Sequence, residues 1–182
     1  STSYNNKTYN YTYDANNQLI GVTGNNYTAY YAYDNRGNIT NKNVNGAITT
    51  FNYSNDGWND KLTSINNTAL TYDANGNVLT YGTKSFTWAN GRNLAQIIDG
   101  NNTYSYTYDE NGIRTSKSVN GVTTYFNTKD GVILSQADNK NTMYFQYNKT
   151  GMPLGFILNG TQYFYLTNQM GDVISITDAN GT

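Results

Sequence analysis

The chain has 182 residues, a net charge of -1, no cysteine, no histidine and 19 tyrosines. Without His or Cys it holds no thiol nucleophile, disulfide, Ser-His-Asp or Cys-His constellation, or usual zinc site, so no catalytic residue, metal or cofactor is expected. The near-zero charge lacks the basic footprint of nucleic-acid binding, and no apolar run has membrane-spanning length.

The aromatic content of 15% is well above that of a disordered chain, and much of it sits in a repeated phrase. In chain order, YTYDANNQLIGV begins at Tyr11, with Tyr11 and Tyr13 two apart, Asp14 next and Asn17 three further on. Then come Tyr31, Tyr33 and Asp34 with Gly37; Phe51, Tyr53 and Ser54 with Gly57; and Leu70, Tyr72 and Asp73 with Gly76. Phe86 and Trp88 precede Gly91, Tyr106, Tyr108 and Asp109 precede Gly112, and Gly131 follows with Thr128 at the place of the acid. Phe145, Tyr147 and Asn148 lead to Gly151; Tyr163, Tyr165 and Asn168 lead to Gly171. From Gly37 onward the steps are 20, 19, 15, 21, 19, 20 and 20 residues, and Asn17 lies 20 before Gly37, giving nine copies.

Large residues at a period of two are strands, with Thr12, Ala32, Asn52, Thr71, Thr87, Thr107, Gln146 and Phe164 on the other face. Asp, Asn and Ser before the glycine bind their own backbone in turns. A second turn lies between copies, in VNGAI (44–48), VNGVT (119–123) and LNGTQ (158–162), and more loosely in TGNNY (23–27) and DGNNT (99–103). Asn-Gly between strands is a strong hairpin signal, because a type I′ turn needs positive φ at both central residues.

Each copy is therefore two antiparallel strands, and the fold is all-β: one repeat domain over residues 1–182, an antiparallel meander of about eighteen strands with no helix. A sheet that wide is expected to curl. Cross-strand aromatic pairs are expected to run as a ladder along one face. The terminal strands, near Tyr9–Tyr13 and Val173–Thr177, are expected to carry unpaired edges and to support weak self-association.

These residues resemble the YD-repeat, or RHS-repeat, family, whose motif is a Tyr-Asp pair, a glycine about three residues later and an apolar residue after it. It stands best in YTYDANNQLI, YAYDNRGNI, TYDANGNVL and YTYDENGIR, and YFYLTNQMGDVISITDANGT is similar to the stretch before the family's RHS-associated core. The resemblance implies a segment of a large secreted or cell-surface protein: a bacterial polymorphic toxin, a wall-associated protein, a toxin-complex subunit or a teneurin. It implies repeats spiralling into a hollow β-shell that holds a C-terminal toxic domain. The partners implied are neighbouring repeats and that C-terminal domain, with no membrane insertion by this segment. Some members cut themselves near a proline-containing motif after the repeats; the one proline here, Pro153, lies inside a repeat, so no such residue is assigned.

Other readings of the same residues are weaker. Tyr-Asp pairs as glycosidase-type carboxylates would need two acids in distinct environments, whereas these recur once per copy in the same one. DANGN at 73–77 lacks the further oxygen ligands of a calcium loop. Carbohydrate or cell-wall binding by the aromatic repeats is the alternative of another class, and it requires rings left open to solvent.

Overall fold

The computed structural model describes residues 2–4 and 7–181, and every regular element among them is a β-strand. Contacts group the chain into two units, residues 1–83 and 84–182. The first holds β1 (Thr2–Tyr4), β2 (Lys7–Tyr13), β3 (Leu19–Gly24), β4 (Tyr27–Tyr33), β5 (Ile39–Val44), β6 (Ala47–Tyr53), β7 (Leu62–Ile65), β8 (Thr68–Tyr72) and β9 (Val78–Tyr81). The second holds β10 (Lys84–Ala89), β11 (Asn93–Asp99), β12 (Asn102–Tyr108), β13 (Arg114–Val119), β14 (Val122–Lys129), β15 (Val132–Ala137), β16 (Thr142–Tyr147), β17 (Pro153–Leu158), β18 (Thr161–Thr167) and β19 (Val173–Asp178).

Within each unit every strand pairs antiparallel with the next in sequence. The all-β meander is as the period predicts, with one strand more. That strand, β1, corrects the expected N-terminal edge: Tyr9 is registered with Thr2 and Thr8 with Ser3.

Two tight margins alternate along the chain. At the aromatic margin an outgoing strand turns into a return strand; at the other, a return strand turns into the next outgoing one. At every aromatic margin the register slips by one residue, as between Thr12 and Tyr13, Ala32 and Tyr33, Thr107 and Tyr108, and Gln146 and Tyr147. Thr107 faces Ser116 and Tyr108 faces Arg114, which leaves Thr115 as the extra residue. These are β-bulges, and each bends its strand and adds right-handed twist. One recurs in each hairpin.

Register also fixes the faces. Tyr11 faces Val22, Val22 faces Ala29, and Ala29 faces Val44, so β2 to β5 share one apolar row. Val22 and Ala29 are buried there, as is Phe156 in the second unit. No large side chain among the described residues is fully enclosed. Within either unit a sheet row is covered only by its own neighbours, so most ladder residues are half-buried.

The aromatic ladder differs from expectation, for a geometric reason. Outgoing strands carry the rings, but a return strand always lies between two of them. Rings two strands apart stand roughly 10 Å from each other. They meet where the return strand makes room: Tyr9 and Tyr27 touch edge-to-face at 6.3 Å beside Gly24. They also meet where the return strand supplies a ring: Phe156 stacks on Tyr163 at 5.0 Å and leans on Tyr165 at 5.6 Å. Between Tyr106 and Phe126 the slot holds Arg114, whose guanidinium lies 5.7 and 5.2 Å from the two ring centres.

Candidate functional site: the capped turns and the ties between repeats

Six aromatic margins share one turn. The backbone N–H of Asp14 donates to the Gln18 carbonyl, and that of Asn17 donates back to the Asp14 carbonyl. Asp14 Oδ1 accepts from the N–H groups of Asn16 and Gln18, both at 2.9 Å. The same pair of bonds forms at Asp34, Asp73 and Asp109, and with a carboxamide oxygen at Asn148 and Asn168. The fourth residue of the turn is left-handed, with φ of 62° at Asn17 and 90° at Gly37. Glycine serves there because it takes that φ without strain, and the acid serves because an acceptor aimed at two N–H groups closes the loop.

In two of the turns these bonds lower the carboxyl, at Asp73 and Asp34. The Asn77 carboxamide, donating to Asp73 Oδ2 at 2.8 Å, is the main reason the Asp73 carboxyl titrates below its ordinary range. The Asn38 carboxamide does the same for Asp34. Each acid is spent on its own turn, and among the described residues no group of three or more acids is placed to hold a metal ion.

Three copies depart from this turn. Gly131 sits in a two-residue turn between Lys129 and Val132, with φ of 52° and 78° at Asp130 and Gly131, and Gly91 sits in a three-residue turn between Ala89 and Asn93, with φ of 49° and 83° at Asn90 and Gly91. Trp88 and Thr128 therefore stay on their strands, facing Leu94 and Ile133. Gly57 lies inside a longer loop in which the Ser54 N–H reaches the Lys61 carbonyl, seven residues on instead of four. Tyr165 also shifts: Thr167, facing Val173, takes the place that Tyr13, Tyr33, Tyr108 and Tyr147 take elsewhere.

The tyrosine of the motif has a task beyond packing. The Tyr33 hydroxyl donates to the Leu19 carbonyl at 2.8 Å, reaching the return strand of the preceding copy. Tyr53 reaches Ile39, Tyr72 reaches Leu62, Tyr108 reaches Leu94 and Tyr147 reaches Ile133 in the same way. Burial raises the Tyr53 and Tyr72 hydroxyls above their ordinary titration range, so they stay protonated donors.

At the other margin, turn asparagines do the equivalent work. The Asn45 N–H donates to the Thr28 carbonyl, and Asn45 Oδ1 accepts from the Thr28 N–H at 2.7 Å. Asn66 to Thr50, Asn120 to Thr103 and Asn159 to Thr142 repeat this. The residues adopt φ of 47–49° to do so. The sequence marks these asparagines only as turn formers. Of the looser turns, TGNNY turns at Asn25 and Asn26, both with positive φ. A further turn at Asn66 and Asn67, both with positive φ, was not legible as Asn-Gly.

Comparison with known proteins follows the same lines. A sequence model of the Teneurin YD-shell family matches residues 1–182. The tRNA3(Ser)-specific nuclease WapA of Bacillus spizizenii is 36% identical over 91% of this chain and 8% of its own length. The tRNA nuclease WapA of Bacillus subtilis is 35% identical over the same shares. The chain thus spans less than a tenth of the curated relatives it matches. A chain of the Photorhabdus luminescens Tc holotoxin pore superposes with a TM-score of 0.66 at 17% identity, covering 96% of this chain and 11% of its own. A chain of the TcdB2-TccC3 crystal structure superposes at 0.65 and 16% identity, covering 96% and 12%. The match is to a shell, so the segment is structural and not itself an enzyme. The chain belongs to the Teneurin YD-shell family.

Proposed function

We propose that this chain is a stretch of shell wall in a larger secreted or cell-surface bacterial protein, and that the whole wall encloses or presents a C-terminal toxin or effector domain. The observation that carries the reading is the direction of the ties. Tyr hydroxyls at one margin and Asn carboxamides at the other each reach one copy back, which is what a continuous wall requires. The nuclease names of the Bacillus relatives, and the small share of them that this chain spans, fit a wall segment beside a separate toxic domain.

Size supports the need for further repeats. About eighteen strands at roughly 4.8 Å would close into a ring only about 27 Å across. A cargo of about 100 residues has a radius of gyration of about 13 Å, hence a diameter above about 30 Å. The wall must therefore be longer than this chain. Alone, the chain is expected to self-associate weakly through its terminal strands, visible as a concentration-dependent mass in light scattering.

The test is limited proteolysis of the full parent polypeptide. The C-terminal part should resist a protease that cuts it rapidly when it is expressed alone. Equal cutting rates in both settings would refute enclosure.

A further inference from the structure

We propose that the loop spanning residues 54–61 and the turn beside it form a binding site for a pyranose unit of a neutral oligosaccharide, with the exposed Trp58 ring as its stacking platform. This stands apart from the shell reading and would survive its failure.

The first observation is a break in the pattern. Six copies close their turn over four residues, whereas Ser54 closes on Lys61 over seven. In repeat scaffolds, insertions in single copies tend to map to binding faces. The added segment is built rather than slack. Ser54 is buried, its Oγ accepts the Asp56 N–H at 3.1 Å, and its hydroxyl donates to the Asp56 carboxylate. The Lys61 N–H donates to the Trp58 carbonyl at 3.1 Å, and Lys61 Nζ donates to Asp56 Oδ2 at 3.0 Å.

The second observation is the ring itself. Trp58 is fixed against Gly76, where a side chain would overlap the indole, and it leans on Tyr72 at 6.3 Å. Yet it remains 51% exposed. The motif tyrosines Tyr33, Tyr53, Tyr72, Tyr108 and Tyr147 are half-buried with their hydroxyls committed. Trp58 is packed against Gly76 and Tyr72 and left open.

The third is the groove around it, about 460 Å³ in volume, lined by Asp56, Trp58, Lys61, Thr63, Tyr72 and Asp73 among others. A volume of about 300–1,000 Å³ suits a small ligand. A pyranose offers a C–H face for the ring and hydroxyls around its rim. Asp56 accepts from such hydroxyls. Lys61 Nζ, 5.7 Å from the ring centre, is near enough to donate to one. The charges select the class. The Asp56–Lys61 pair is neutral in sum and Asp73 adds a negative charge, which disfavours an anionic glycan. An apolar ligand would desolvate the ion pair without replacing its bonds.

In Trp88→Phe, Trp58 is the sole indole reporter. Chitotetraose and cellotetraose, as neutral probes, and an oligogalacturonate, as the anionic one, are titrated by fluorescence. Calorimetry follows on the unmodified chain and on Trp58→Ala, Trp58→Phe and Asp56→Asn, each checked for strand content by circular dichroism. A neutral probe should bind with a Kd of about 1 mM or tighter, and Trp58→Ala and Asp56→Asn should each weaken it about tenfold. Trp58→Phe should retain part of the affinity. If Trp58→Ala does not fold, Asp56→Asn decides. No saturable signal from either neutral probe up to about 10 mM, unchanged affinity in the folded variants, or tighter binding of the oligogalacturonate would overturn the proposal.

Discussion

Removing two hydroxyl groups from the second unit tests whether the tyrosine ties couple one copy to the next. In Tyr108→Phe and Tyr147→Phe each ring stays in place, and only the bonds to the Leu94 and Ile133 carbonyls, at 2.9 and 2.8 Å, are lost. A neutral hydrogen bond nets about 0.5–1.5 kcal/mol, with more at stake when the abandoned carbonyl is shielded from water. Both sites are half-buried, so about 1 kcal/mol each is expected. They lie in different hairpins and share no partner, so the double variant should lose about 2 kcal/mol. For a chain of this length that lowers Tm by roughly 4–8 °C. Urea denaturation followed by circular dichroism should show a lower midpoint with an unchanged slope. Tyr30→Phe and Tyr125→Phe remove hydroxyls from residues that are 52% and 65% exposed on the opposite face, and should change nothing measurable. A double variant as stable as the unmodified chain, or controls as costly as the ties, would refute the reasoning.

Further outcomes follow from single positions. A methyl group on Gly155 would overlap the Tyr163 carbonyl oxygen, so Gly155→Ala should cost about 1–3 kcal/mol, whereas Gly21, with its nearest neighbours at 3.6–3.7 Å, should accept alanine and gain about 0.4–1 kcal/mol; chemical denaturation of both variants checks the pair. Asn120→Gly keeps the φ of 49° but loses the bonds to the Thr103 N–H and the Asn102 carboxamide, and should cost about 1–2 kcal/mol by the same assay. The N–H groups of Lys140 and then Asn141 hold the Asp138 carboxyl below its ordinary range. Hydrogen bonds likewise hold Asp34 and Asp73 low and bring Asp56, bonded first by Ser54 and then by Lys61, to about 2. A carboxyl lowered by folding stabilises above its unfolded pKa and loses that contribution as pH falls through its folded one. Stability should therefore fall from about pH 5 toward pH 2, and Asp138→Asn, which keeps an acceptor without the titration, should flatten part of that slope in acid-unfolding curves.

The parts legible in the sequence were the locally determined ones. Tyr-x-Tyr fixes a strand, and Asp14 or Asp73 with a left-handed residue three later fixes the turn, because donors and acceptor lie within four residues of each other. Asn90-Gly91 and Asp130-Gly131 mark short turns of three and two residues, which the position of the glycine alone does not distinguish from the capped turn. The Ser54 insertion was masked by compensation: β7 and β8 have only four and five residues, so the period of about twenty survived a longer loop. Tyr165 was misplaced because it stands three residues before its cap, where Tyr13 stands one before Asp14. The bulges and ties were not legible, since both depend on register between strands. Nothing within Tyr33 and its neighbours says that its hydroxyl meets Leu19, fourteen residues earlier.

The central claim is that this chain is wall, continuous with flanking repeats in its parent. β19 pairs with β18 through Tyr163–Asp178, Leu166–Ser175 and the positions between, and its alternate N–H groups point away from β18. Hydrogen exchange of those outward amides, measured in this chain alone and in the longer parent polypeptide, is the direct test. The account predicts fast exchange in the isolated chain and strong protection in the parent, where the next repeat pairs with β19. Equally fast exchange in both would contradict it.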